Sequence, residues 1–116
     1  MSEYKPDKWV IIKIAGKNWE PVHMPPVHKV FACWYGGYLG SDSWQLNSGI
    51  VKATLEGYVY SFKGSSGSVY ECHKDCYGTN GYGAGVLSNI IAKAEKNNVT
   101  IEILSEETNW LEINYE

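Results

Sequence analysis

The residues best suited to chemistry lie between Trp34 and Tyr70. Residues 34 to 49 read Trp-Tyr-Gly-Gly-Tyr-Leu-Gly-Ser-Asp-Ser-Trp-Gln-Leu-Asn-Ser-Gly, with Trp34, Tyr38 and Trp44 set among glycines and short polar side chains. A flat aromatic face can stack a base or a sugar at about 1–3 kcal/mol per stack. Glycine lets a ligand approach the backbone, and Asp42, Asn47 and Ser48 can fix its orientation by hydrogen bonding. A structural account fits the same residues: Trp34 and Trp44 as core, Asp42 as a turn cap, Asn47 at a positive φ. Further on, Gly64-Ser-Ser-Gly-Ser-Val-Tyr70 gathers Ser66, Ser68 and Tyr70 around a turn. Backbone N–H groups and hydroxyls presented together suit an anion, although a plain hairpin has the same composition. The turn is neither a P-loop nor a nucleophile elbow, since Gly-Lys-Ser/Thr and Gly-x-Ser-x-Gly are both missing. The candidate ligand-binding set is therefore Trp34, Tyr38, Asp42, Trp44, Asn47, Ser48, Ser66, Ser68 and Tyr70.

Two other constellations carry less. Cys72-His73-Lys74-Asp75-Cys76, with Cys33, His23 and His28 elsewhere, contains the donor types of a tetrahedral zinc site. Its Cys-x3-Cys spacing has no second tight pair beside it, and strand alternation would turn Cys72 and His73 to opposite faces. Cys33 reads as a small buried hydrophobe, so no metal is assigned. Thr79 to Gly85 precedes a helix, where free N–H groups can meet an anion, but its glycines do not follow Gly-x-Gly-x-x-Gly. A flexible connector explains them equally. No nucleophile, base and orienting group can be assembled into one set, so neither an enzyme nor a cofactor is expected.

The elements that must position these residues follow from periodicity. Trp9 to Ile14 alternates as a strand, with Val10, Ile12 and Ile14 on one face and Trp9, Ile11 and Lys13 on the other. Pro21, Pro25 and Pro26 interrupt regular pairing, and Lys29 to Tyr35 forms a second strand. Gly36 to Gly49 reads as an ordered loop. Ile50–Leu55, Tyr58–Lys63 and Ser68–Cys72 make a three-stranded meander, turning at Glu56-Gly57 and at Gly64–Gly67. A helix is predicted from Ala84 to Lys96, its apolar stripe being Val86, Leu87, Ile90, Ile91 and Ala94. Val99–Leu104 is a further strand, and Leu111, Ile113 and Tyr115 alternate as a short last one. The expected fold class is α+β: an antiparallel β-sheet, open or curled into a partial barrel, with one helix from the C-terminal half packed on one face. Residues 1–116 form a single domain in this reading, with 1–7 loose.

One helix leaves a sheet face uncovered, and this is the reason to expect a homo-oligomer. Composition narrows the partners. The chain has nine Tyr and five Trp against two Phe, a bias toward half-exposed contact surface. Its ten basic residues are all lysine and its net charge is −3. Without the planar arginine fork, DNA sequence readout is not expected. Glu102, Glu106, Glu107, Glu112 and Glu116 make an acidic end, which is either a solvated edge or a patch for a basic partner. No apolar run approaches a membrane span or a signal peptide. Three cysteines, an odd count, suit a reducing compartment, so the expected location is cytoplasmic.

The stretch from His28 to Tyr77, with the ending Thr108-Asn109-Trp110, resembles small uncharacterised accessory proteins of tailed bacteriophages. The resemblance rests on Trp34-Tyr-Gly-Gly-Tyr-Leu39, Asp42-Ser-Trp44, Leu46-Asn-Ser-Gly-Ile50 and Ser66-Gly-Ser-Val-Tyr70, and covers about half the chain. It implies a protein that acts in the host cytoplasm by binding. The ligand would be a small planar, polar molecule such as a nucleotide-type signal of host immunity. Alternatively, an exposed Tyr/Trp and acidic surface would inhibit a host enzyme. Nucleotide-sequestering proteins often place Arg on phosphate; this chain has none, and a lysine would take that role.

Overall fold

The computed structural model describes residues 3–16, 26–36, 42–113 and 115. Eight strands and one α-helix run in the order β1 (Glu3–Tyr4), β2 (Lys8–Gly16), β3 (Val27–Trp34), β4 (Ser43–Leu46), β5 (Ile50–Glu56), β6 (Val59–Gly64), β7 (Val69–His73), α1 (Gly81–Lys96) and β8 (Val99–Ile103), with a short 3-10 turn at Lys74–Cys76. The chain is α+β, as its periodicity indicates. The strands form two sheets, ordered β1-β7-β6-β5 and β4-β3-β2-β8.

The central strands β2 and β3 explain the layering, because both are apolar on both faces. Trp9, Ile11, Val30 and Ala32 turn toward the first sheet and pack with its Ile50, Phe62, Tyr70 and Cys72, and with Trp110. On the opposite face Val10, Ile12, Phe31 and Cys33 meet Leu87, with Val86, Ile90 and Ile91 of α1 around it. The protein is therefore three layers deep: sheet, sheet, helix. The sheet face that α1 leaves is covered by the first sheet of the same chain, so that face gives no support to an oligomer.

The meander β5-β6-β7 is antiparallel throughout. Its first turn centres on Gly57-Tyr58, one residue later than the spacing predicts. Glu56 still pairs with Val59, and Gly57 takes the positive φ of 62° that a tight hairpin needs at its first central position. Helix α1 begins earlier than predicted, because Asn80 caps it with a side-chain oxygen on the Gly83 N–H.

Three further expectations are corrected. Residues 3–7 are not loose: Tyr4 pairs in parallel with Tyr70, and the Asp7 N–H donates to the Cys33 carbonyl. Part of the expected loop after Gly36 is strand β4, which pairs Trp34 with Ser43 and Phe31 with Leu46. Near Leu111 there is a turn instead of a strand, held by the Asn109 side chain on the Leu111 N–H and by the Asn109 carbonyl on the Glu112 N–H.

Candidate functional site

β1 and β4 are the outer strands of their respective sheets. Between them lies a groove of about 410 Å³, lined by Glu3, Tyr4, Lys5, Trp34, Ser43, Trp44 and Gln45. Trp34 and Tyr4 meet on the sheet–sheet side, whereas Trp44, opposite Cys33, turns its ring to the helix side of its sheet. The Trp34 indole N–H donates to the Lys5 carbonyl at 3.0 Å, and the Tyr4 ring meets Trp34 edge-on at 6.3 Å. Trp44 lies over Phe31, with centroids 5.4 Å apart and planes 18° from parallel, yet stays 38% exposed. Asp42 accepts the Gly36 N–H at 2.9 Å, tying together the two ends of segment 37–41. Its carboxylate thus positions the loop's exit into β4. Tyr38 lies outside the described residues.

Tyr70 is not part of this surface. It is 1% exposed and stacks beneath Tyr4 at 4.7 Å. Burial, with Tyr4 and Cys72 nearby, pushes its hydroxyl up to about 12. Asn47 is also structural. Its backbone N–H donates to the Val30 carbonyl, and its Oδ1 accepts the Val30 N–H at 2.9 Å. It continues the β3–β4 ladder by one side-chain rung, so its burial serves the sheet.

The serines converge elsewhere. Ser48 Oγ accepts the Ser66 N–H at 3.0 Å and lies 3.1 Å from Ser66 Oγ. Ser66 Oγ is 3.5 Å from Ser68 Oγ, and the Ser65 N–H donates to the Gly49 carbonyl. The Asn47–Gly49 end and the Gly64–Gly67 turn are therefore adjacent. However, the N–H groups of Gly64, Ser65, Ser66 and Gly67 all donate within the fold, which leaves the turn no backbone cradle for an anion. Beside the serines is a cleft of about 240 Å³, lined among others by Val27, His28, Ser48, Ser65 and Tyr115, with no Lys, Asp or Glu among the described residues that line it. It belongs to the Val27 end of β3, whereas the groove belongs to the Trp34 end. At about 3.3 Å per residue the two lie roughly 20 Å apart. The eight described candidates are thus divided: Trp34 and Trp44 line the groove, with Asp42 beside it; the three serines surround the distant turn; Asn47 and Tyr70 are in the interior.

The other constellations have structural explanations. Cys33 faces the helix while Cys72 lies between the sheets, so a sheet separates the two thiols. Burial pushes the Cys72 thiol well up, away from the ligating thiolate. Among the described residues no group of three His, Cys, Asp or Glu is placed to hold a metal. Gly83 sits directly against Cys33 Sγ, so close packing of helix on sheet accounts for a glycine before the apolar stripe.

Glu3, Tyr4, Lys5, Ser43 and Gln45 complete the groove and were not singled out in the sequence. A Tyr and a Lys in a stretch read as loose gave no local signal of the parallel pairing that brings them to Trp34. No helix among the described residues is long and apolar enough to cross a membrane. The chain matches no protein-family model, no curated protein and no solved structure.

Proposed function

We propose that the protein is a small non-catalytic binding protein. Its groove between β1 and β4 takes a planar, polar small molecule of the nucleotide type. The observation that supports this most is the groove itself: about 410 Å³ with two tryptophans and a tyrosine in its walls, within the range of small-molecule sites. A base would lie against Trp34 and Tyr4, Ser43 and Gln45 would bond its polar edge, and Lys5 would meet a phosphate. Glu3 in the same lining favours a ligand with little negative charge over a polyphosphate. The phage resemblance makes the host cytoplasm the proposed setting and a host signal the proposed class of ligand.

The test is a titration of nucleotides, nucleosides and sugars, read by tryptophan fluorescence and thermal shift. A binder should raise the melting temperature, and Trp34→Ala should weaken it by about 1–3 kcal/mol, read on the folded variant below its own lowered melting temperature. If no compound at millimolar concentration moves either signal, the groove does not hold this class of ligand. A second reading, inhibition of a host enzyme, draws on the exposure of Tyr35, Tyr82 and Trp44, at 53%, 47% and 38%. A partner captured from host lysate by the wild type and lost with Trp44→Ala, while nucleotides have no effect, would select it.

A further inference from the structure

Four strands are sheet edges: β1 and β5 in one sheet, β4 and β8 in the other. An edge strand presents backbone N–H and C=O groups that another extended strand can take. β5 is at the far edge of its sheet from β1 and the groove, and among the described residues it pairs with β6 alone. From Val51 to Glu56 every residue is exposed except the half-buried Ala53. Val51 and Leu55 are exposed at 44% and 38%, so apolar surface runs beside the open backbone.

The hairpin fixes which backbone groups point outward. Glu56 and Val59 flank the two-residue turn, so they exchange hydrogen bonds with each other. By alternation Thr54 and Lys52 also bond toward β6, whereas Ala53 and Leu55 aim their N–H and C=O groups away from the sheet. A bulge falls between Ile50 and Lys52, a device that commonly spoils an edge. Here it lies at one end of the strand, and Lys52 to Glu56 keep a regular register with β6.

Charge selects the occupant. Ala53 packs against the core between the sheets, so Lys52, Thr54 and Glu56 share the outer face. Lys52 stands directly opposite Lys63, a like-charge pair that disfavours the sheet. Among the described residues no carboxylate forms an ion pair with Lys52 or Lys63, and no cation forms one with Glu56. A second β5, run antiparallel to the first, supplies both. With Thr54 on the two-fold axis, Ala53 lies opposite Leu55 of the copy, so the outward-pointing groups meet. The same register sets Lys52 opposite Glu56 of the copy, once on each side of the axis. Moving the axis to Ala53 or Leu55 loses both charge pairs. β5 is also the one edge strand with both signs of charge: β1 and β8 carry a glutamate each and β4 has no charge.

We propose that the protein associates with a second copy of itself through β5. Ala53 of each chain exchanges backbone hydrogen bonds with Leu55 of the other, and Lys52 pairs with Glu56 across the axis. The two four-stranded sheets then run on as one. An interface this narrow belongs to the weak class, so the dimer forms reversibly at micromolar to millimolar concentration. The association is independent of the groove between β1 and β4, which stays open at the far edge of each copy.

The test is sedimentation velocity and light scattering of the full chain over a concentration series up to about 1 mM. The mass should rise from the 13.0 kDa of one chain toward twice that value. Lys52→Glu and Glu56→Lys each set like charges opposite one another at both pairs, and each should weaken association about tenfold or more. An equimolar mixture of the two variants has opposite charges at both pairs again and should recover the wild-type association. Ala53→Pro removes an outward N–H and no bond of the hairpin, so it should leave a folded monomer. A mass of 13.0 kDa at every concentration overturns the proposal. So does association that survives both charge variants, or a mixture that behaves like its separate components. The charge variants decide the outcome even if Ala53→Pro does not fold.

Discussion

Tyr70, Tyr77 and Tyr115 each carry a hydroxyl that burial pushes up to about 12. An unfolded tyrosine ionises near 10. Between these values the folded chain keeps protons that the unfolded chain has lost, so stability is full below about pH 10 and falls as pH rises toward 12. His28 acts at the other limit. Burial, with Lys13 nearby, lowers its pKa from the ordinary 6.5, so its contribution is present above that value and is lost as pH falls below it. Melting temperature measured from pH 5 to 12 should show a plateau with these two shoulders, and Tyr70→Phe should soften the alkaline one. A flat curve to pH 12 would mean that the three hydroxyls reach water. At this scale the sequence was half legible. Trp34 and Trp44 declare themselves by standing in a Gly/Ser-rich run. Asn47 and Tyr70 do not, since their burial depends on Val30 and Tyr4, far away in the chain.

Helix α1 shows how differently neighbouring glycines can behave. A Cβ on Gly83 would collide with Cys33 Sγ and come within 2.9 Å of the capping oxygen of Asn80, whereas one on Gly85 meets nothing within 4 Å. Gly83→Ala should therefore destabilise by about 1–3 kcal/mol through overpacking. Gly85→Ala should stabilise by about 0.5–1 kcal/mol through helix propensity. Urea denaturation measures both, and the opposite order would place α1 differently on its sheet. The helix stripe and the β5-β6-β7 meander were legible because each follows its own period and its own turns. Strand β4 was not: Ser43–Leu46 follows a Gly/Ser-rich run and is a strand only because Trp34 and Phe31 lie opposite. The two-sheet layering did leave a trace. β2 has large apolar residues on both faces, the pattern of a strand covered twice, and a single half-covered sheet cannot satisfy it.

The whole molecule is held by pairings between distant parts of the chain. In β2, Ile12 faces Lys29 on one side and Ile103 on the other, while Tyr4 pairs with Tyr70. Folding should accordingly be slow for this size, on the order of milliseconds to seconds. Stopped-flow refolding in the microsecond range would contradict the topology. The position of β8 beside β2 also bears on how the protein is made. On the ribosome, residues 8–16 emerge early, yet one edge of that strand has no partner until residues 99–103 follow, and Trp110 reaches the core later still. Between the emergence of residues 8–16 and that of residues 99–103 the nascent chain therefore exposes an apolar strand with open hydrogen-bonding groups, the state most prone to pair with a neighbouring chain. Expression yield is then governed by how long that edge waits, and slower translation before residue 99 lengthens the wait.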